Sequence, residues 1–204
     1  MRIYRGEGAT DRQARRRRRL LDAGLEILGR EGWRATTVTA VCERAQLTPR
    51  YFYESFPHRD ALLVAIFDGI VEEITQKVLA ARPADPEESL RATAAAFVRM
   101  STEDPGKGRA AFVEAFGSEA LMRRRFERMH WFAGRLAEQA SSGRRLRKAD
   151  MRHLRTACLI AAGGLIETMV AWLQDEIDST PQQIIDDYTR VSAAGLAAAL
   201  KTSR

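Results

Sequence analysis

The chain has 204 residues, 45% hydrophobic and 29% charged, which suits a compact soluble protein with room for a small unit and a larger one. Its net charge of +6 is unevenly placed: residues 1–60 carry 13 Lys+Arg against 8 Asp+Glu, residues 61–204 carry 20 against 19, so the excess sits where a phosphate-binding surface would need it. A secretory signal is excluded because LLDAGLEILG carries Asp22 and Glu26, and no membrane partner is expected because the longest uncharged apolar run, ACLIAAGGLI, is half of the roughly 20 residues a bilayer requires.

Residues 1–11 are polar and without periodicity, and a flexible arm is expected over 1–14. RQARRRRR follows, Arg12 to Arg19. Such a run is usually solvated or disordered and also imitates a nuclear localisation signal, but here it leads directly into a helix. Leu20, Gly24, Ile27 and Leu28 form the inner stripe of that helix, which should stop at Gly32, with Trp33 packed beneath it as core.

The stretch from Thr36 to Leu62, TTVTAVCERAQLTPRYFYESFPHRDAL, predicts two short helices around a tight turn. Thr37 is a good N-cap, and Val38, Val41, Cys42 and Ala45 fall on one apolar face. Gln46 and Leu47 make the turn. Thr48 and Pro49 start a second helix that ends before Pro57; Phe52 and Phe56 would pin it, leaving Arg50, Tyr51, Tyr53, Glu54 and Ser55 outward. A helix of this kind can enter a DNA groove, and an ordinary helical hairpin with exposed tyrosines has the same pattern.

In residues the segment resembles the DNA-binding domain of the TetR family of transcriptional regulators: a helix ending in EGWRATTV, then VTAVCERAQLT, PRYFYESF and PHRDALL. The resemblance covers roughly residues 15 to 75. It implies an all-α chain, with a DNA-binding helix-turn-helix domain of three helices over 1–60 and a larger helical ligand-binding and dimerisation domain over 61–204. By the match in position, Thr37 and Tyr53 would contact phosphates, and Thr39, Pro49, Arg50, Tyr51, Glu54 and Ser55 would face bases. Arg59 occupies the place of a phosphate-contacting lysine, and some of Arg15, Arg16, Arg17, Arg18 and Arg19 would reach phosphates or a minor groove. Gln46 stands where glycine is common, so it must tolerate a left-handed conformation, and Ala40 replaces an acid that completes a capping box.

A long helix is expected from Arg59 to Ala81, with Leu62, Ile66, Ile70 and Ile74 as its stripe. RPADPEES should break it and cap the next. Further helices are expected at 89–101, 108–116, 118–141, 149–177 and 181–201, with STEDPGKG and SSGRRLRK as loops.

Phe97, Met100, Phe112, Phe116, Met122, Phe126, Met129, Trp131, Phe132, Met169 and Trp172 recur at helical spacing; most such residues are core, though Met and aromatic side chains also line adaptable apolar pockets. The family resemblance implies such a pocket for a small, largely apolar ligand; His130, beside Trp131, is a candidate polar contact, with a partly exposed, satisfied histidine as the alternative reading. Gly and Ala concentrate in TACLIAAGGLIETMVAWL and VSAAGLAAAL, which allows helix axes to approach closely, and in the family the last two helices form a homodimer interface.

Cys42 and Cys158 lack metal-ligand spacing and read as reduced core residues of a cytoplasmic protein. No HExxH, GxSxG, phosphate-binding glycine loop or CxxC occurs, so neither an enzyme nor a cofactor is expected. The reading is a ligand-controlled regulator of the repressor type, bound as a dimer to a pseudo-palindromic operator in double-stranded DNA. Its rivals are a DNA-coating protein of low sequence preference and a helical enzyme or carrier with an incidental basic end.

Overall fold

The computed structural model describes residues 8–80, 85–143 and 146–201, and among them every regular element is helical. Helix α1 spans Ala9–Glu31, so residues 9–14, expected in a flexible arm, form its opening turns and the arginine run lies inside the helix. Ala, Arg and Gln are good helix formers, and Asp11 suits the positive end of the helix dipole. Residues 1–7 of the expected arm lie outside the described residues. At the other end Gly32 adopts φ +85° and its N–H bonds to the Leu28 carbonyl.

Helices α2 (Val38–Ala45) and α3 (Pro49–Ser55) fold against α1, which buries Leu20, Ile27 and Leu28 between them. Helix α4 (Arg59–Ala80) begins in this cluster and continues beyond it. Leu62, Ile66, Ile70 and Ile74 are all buried, each worth roughly 1.5–3 kcal/mol of transfer free energy. Gly24 lets α4 nest on α1, since a Cβ there would stand 2.8 Å from Ile66 Cδ1.

The second layer comprises α5 (Pro86–Glu103), α6 (Pro105–Phe112), a 3₁₀ turn (Glu114–Phe116), α7 (Glu119–Ser141), α8 (Lys148–Leu173) and α9 (Pro181–Lys201). Helix α5 lies on α9, α7 on α8, and α8 on α9, while α4 touches α1, α5, α6 and α7.

Several boundaries depart from expectation for one reason: an Asp-Pro pair starts a helix. Asp85 accepts the Glu88 N–H (2.8 Å) with Pro86 next, so α5 opens earlier than residue 89. Asp104 accepts the Lys107 N–H (3.1 Å) with Pro105 next, so STEDPGKG is a loop only at Asp104. Ala81, the expected end of the long helix, and residues 82–84 of RPADPEES lie outside the described residues, as do Arg144 and Arg145 of SSGRRLRK. The segment expected as helix 108–116 divides into α6 and the 3₁₀ turn. Helix α8 stops at Leu173, before the expected 177, where Asp175 takes φ +58° and Trp172 Nε1 donates to the Ser179 carbonyl (2.9 Å).

Candidate nucleic-acid interface and cavity

The α2–α3 unit is fixed by its caps and its aromatic residues. Thr37 Oγ1 accepts the Ala40 N–H (3.1 Å), and Val41, Cys42 and Ala45 are buried. Gln46 takes the left-handed conformation (φ 53°, ψ 46°), and the following Leu47 N–H bonds back to the Cys42 carbonyl (2.9 Å). Thr48 is extended at the N-cap position of α3, but its hydroxyl makes no capping bond. Phe52 and Phe56 are buried with centroids 5.7 Å apart, so this two-turn helix is held by packing rather than by its own propensity.

On the outer side Thr37, Thr39, Pro49, Arg50, Tyr53 and Glu54 are exposed, while Tyr51 and Ser55 are half-buried. Tyr53 stands 58% exposed and its ring meets the edge of Phe52, a geometry that presents its hydroxyl without loosening the helix. Arg50 Nε donates to Glu54 Oε1 (3.1 Å) along the same face.

The arginine run is engaged with this unit. Arg16 lies over the Tyr51 ring at 4.4 Å and 3.6 Å from Glu54. Arg17 lies over the Phe56 ring at 4.2 Å and donates to the Ser55 carbonyl (3.2 Å). Arg19 donates to the Ala45 carbonyl at the C-terminal, negative end of α2. These three brace α1 against α2 and α3. Arg15 and Arg18 are exposed, and Arg59 lies over the Trp33 ring at 5.2 Å beside Asp60. Exposed ion pairs are worth only about 0–1 kcal/mol, so those of Arg50 and Arg16 with Glu54 can exchange for phosphate at little cost.

A largely apolar cavity of about 70 Å³ lies between α4, α5, α6, α7 and α8. Of the residues expected in core or pocket, Phe97, Phe112, Met129, Trp131 and Phe132 line it, with Phe97 and Phe112 edge to face at 5.3 Å. Met100 and Met169 are buried elsewhere in the core, and Trp172 is turned to Ser179. Phe116 is exposed beneath Arg125, and Met122 and Phe126 are exposed on the outer face of α7. His130 is exposed too, stacked on Phe126, its Nδ1 2.8 Å from the Phe126 carbonyl. Helical phase explains part of the division: Phe126 and His130, at i and i+4, share one face of α7, while Arg125, Arg128 and Phe132 share another.

Sequence reasoning missed the walls contributed by α4, namely Phe67, Val71, Ile74, Thr75 and Val78, of which only Ile74 belongs to the stripe read from the sequence. It also missed Arg125 and Arg128, for which spacing gives no signal. Both arginines belong to an ionic network across α7. Arg124 Nε reaches both oxygens of Asp68 on α4 (2.7 and 3.0 Å), which, with Glu127, raises the pKa of its guanidinium. Arg128 Nη2 is 3.5 Å from Glu72 on α4, and Arg125 Nη2 is 2.7 Å from Glu167 on α8.

A second joint, also missed, links α1 to α6. The buried Glu114 carboxylate accepts the Trp33 N–H (2.9 Å) and Arg109 Nε (2.9 Å). Trp33, expected as core, is half-buried against Gly117, where a Cβ would come 2.1 Å from the indole Cγ.

On α8 and α9, Ile160 is 70% and Val191 68% exposed, beside the exposed Gly164, Ala194, Gly195 and Ala197. Contrary to the expectation drawn from the short uncharged run, α8 is long and apolar enough by length and composition to cross a membrane, with 28% of its most apolar window buried. Among the described residues no His, Cys, Asp and Glu group could hold a metal, and Cys42 and Cys158 are free buried thiols. Burial pushes the Cys158 thiol up to about 11.

Residues 20–66 match the family model described as bacterial regulatory proteins, tetR family. The chain is 37% identical over 75 residues to the HTH-type transcriptional repressor KstR of Mycolicibacterium smegmatis, a match that spans 37% of each protein. In fold it is similar to the fatty acid degradation regulator FadR from Bacillus halodurans (TM-score 0.70, 16% identity, 94% of this chain and 98% of that one). It is similar also to the regulator FadR from Bacillus subtilis in complex with stearoyl-CoA (TM-score 0.70, 17% identity, 87% and 98%).

Proposed function

We propose, from the match of residues 20–66 to the tetR family of bacterial regulatory proteins, that the chain is a DNA-binding transcriptional regulator of the repressor type whose operator affinity is set by a small, largely apolar effector. Residues 1–60 read DNA; residues 61–204 bind the effector and pair two copies. The observation that carries this reading is that α4 supplies a wall of the apolar cavity and, through its Leu62 and Ile66 packed at Gly24 of α1, also supports the unit that bears α3.

Each copy would lay α3 in a major groove, with Arg50, Tyr51, Glu54 and Ser55 toward base edges, together with Thr39 and Pro49. Tyr53, Thr37, Arg18 and Arg59 take phosphates, Arg15 joins them, and Arg16, Arg17 and Arg19 hold α1 in the position from which it meets the backbone. The exposed apolar and small residues of α8 and α9 support pairing with a second copy through a four-helix interface, which would also cover the apolar face of α8. Such a protein acts in the cytoplasm, without catalysis.

Induction follows from linkage. Pockets for drug-sized ligands measure roughly 300–1,000 Å³, so a ligand of that size must push apart the walls of a cavity of about 70 Å³. The move shifts α4 and changes the spacing of the two α3 helices; a coupling of about 1–3 kcal/mol changes DNA affinity on the order of 5–150-fold.

Selection of bound sequences from random DNA tests the reading. It should return a pseudo-palindrome with half-sites about 34–36 Å apart. A monomeric protein that treats every duplex alike would overturn it.

A further inference from the structure

We propose that the effector is an amphipathic anion whose apolar chain fills the cavity between α4 and α7 and whose anionic end is taken by Arg128. The inference rests on reading that cavity as the effector site. Arg128 lines the cavity, its side chain is only 20% exposed, and its Nε is buried without a hydrogen-bond acceptor. The carboxylate oxygen paired with that Nε, Asp68 Oδ1, is 4.0 Å away, beyond hydrogen-bonding distance.

Neighbouring arginines show why the vacancy belongs to Arg128. Asp68 is committed to Arg124, one turn earlier on α7, at 2.7 and 3.0 Å. Arg125, the other cation in the wall, has Glu167 at 2.7 Å and lies over the Phe116 ring. Glu72 reaches Arg128 only through Nη2, at 3.5 Å. A buried donor without an acceptor costs about 1–3 kcal/mol, and more when charged, which an anionic oxygen brought to Nε would recover.

The remaining walls select the other end of the molecule. Phe67, Val71, Ile74, Phe97, Met129 and Leu165 offer no polar side chain, so they favour a hydrocarbon segment. Two arginines in the wall disfavour a cationic head. The nearby Glu72, Glu127 and Glu167 are more than half exposed, so solvent weakens their repulsion of an incoming anion. Because Glu72 stands on α4, an anion on Arg128 competes with Glu72 for this guanidinium and so loosens α4 from α7.

A carboxylate and a phosphate monoester share the required oxygens, and the test separates them. Dodecanoate, dodecyl phosphate, dodecanol and dodecylammonium are titrated calorimetrically into the full chain, wild type and Arg128→Gln, and each ligand is also added to the protein on its selected operator. At least one of the two anions should bind wild type about tenfold or more tightly than dodecanol and dodecylammonium, as a hydrogen bond to a charged group implies, and the tighter anion names the head group. Arg128→Gln should abolish that preference while keeping dodecanol affinity. Equal affinity of wild type for both anions and the alcohol, no binding of any of the four, or a preference that survives Arg128→Gln overturns the inference. The wild-type series decides even if the variant does not fold. Operator release by dodecanol as effective as by the anions would sink the anionic end and leave the effector reading; an Arg128-dependent preference without operator release would do the reverse.

Discussion

Gly29 of α1 and Gly106 of α6 meet backbone to backbone: a Cβ on Gly29 would stand 2.7 Å from both the Cα and the carbonyl oxygen of Gly106. The contact joins the helix that carries the arginine run to the helix that forms part of the cavity wall through Ala111 and Phe112. Motion at the cavity therefore has two routes to α3, through α4 and through α6 to α1.

Gly29→Ala tests the second route. Alanine gains roughly 0.5–1 kcal/mol of helix propensity, but the obstructing atoms are backbone and cannot rotate aside, so overpacking of about 1–3 kcal/mol should prevail. Denaturant unfolding should show a net loss of stability. A stabilised variant would mean that the two helices separate freely.

Arg17 and Arg18 should differ in what they do, though they are neighbours in the run. Arg17→Ala removes a hydrogen bond to the Ser55 carbonyl and a ring contact, and should cost about 0.5–1.5 kcal/mol of folding stability. Arg18→Ala should leave stability unchanged, weaken binding to every duplex alike and reduce the salt slope by about 1. Thermal melts and binding isotherms across a salt series check both.

Glu54 holds Arg50 at 3.1 Å and Arg16 at 3.6 Å on the face proposed to meet DNA, where it would restrain both cations and repel phosphates. Glu54→Gln should raise affinity for random duplexes more than for the selected operator, narrowing the ratio between them. Competition binding measures the ratio; a loss of affinity for both duplexes would contradict this role.

The Glu73–Lys107 pair sets a pH window for the contact between α4 and α6. Hydrogen bonds from Lys107 and then Lys77 hold the Glu73 carboxyl below its ordinary range, and Glu73 holds the Lys107 ammonium above its own. A lowered carboxyl contributes stability that is complete above its ordinary value of about 4.3 and is lost as pH falls through the lowered value. A raised ammonium contributes stability that is complete below about 10.4 and is lost as pH rises through the raised value. The pair is therefore intact from about pH 5 to 10. Because both groups are partly exposed, Glu73→Gln should cost under about 1 kcal/mol at neutral pH, and its melting temperature should converge on wild type only as pH falls through the lowered Glu73 value.

The stretch from Thr37 to Ile74 was legible because each boundary carries its own chemistry: a capping threonine, a proline at a first turn, phenylalanines at i and i+4. Gln46 was legible for the same reason, since the turn demands a left-handed residue whatever its side chain. The start of α1 was not, because a run of like charges reads as solvated until the carbonyls of Ser55 and Ala45 and the rings of Tyr51 and Phe56 are seen to receive it. Asp104-Pro105 carries the signature of a helix start, which the turn-like composition of STEDPGKG obscures. On α7 the aromatic residues were visible but their phase was not, so Phe126 and His130 were grouped with Met129 although they face away from the cavity. Gly106 and Arg128 gain their roles from partners far off in sequence, which no local pattern can reveal.

The account depends above all on α3 reading base pairs. The most direct measurement is the affinity of wild type and Arg50→Ala for the selected operator, its single-base variants and random duplex at physiological salt. Wild type should favour the operator at least about a thousandfold, and Arg50→Ala should lose about 1–3 kcal/mol and relax discrimination at one base position per half-site. Equal affinity of wild type for operator and random duplex, or a uniform loss on all sequences in the variant, would contradict it.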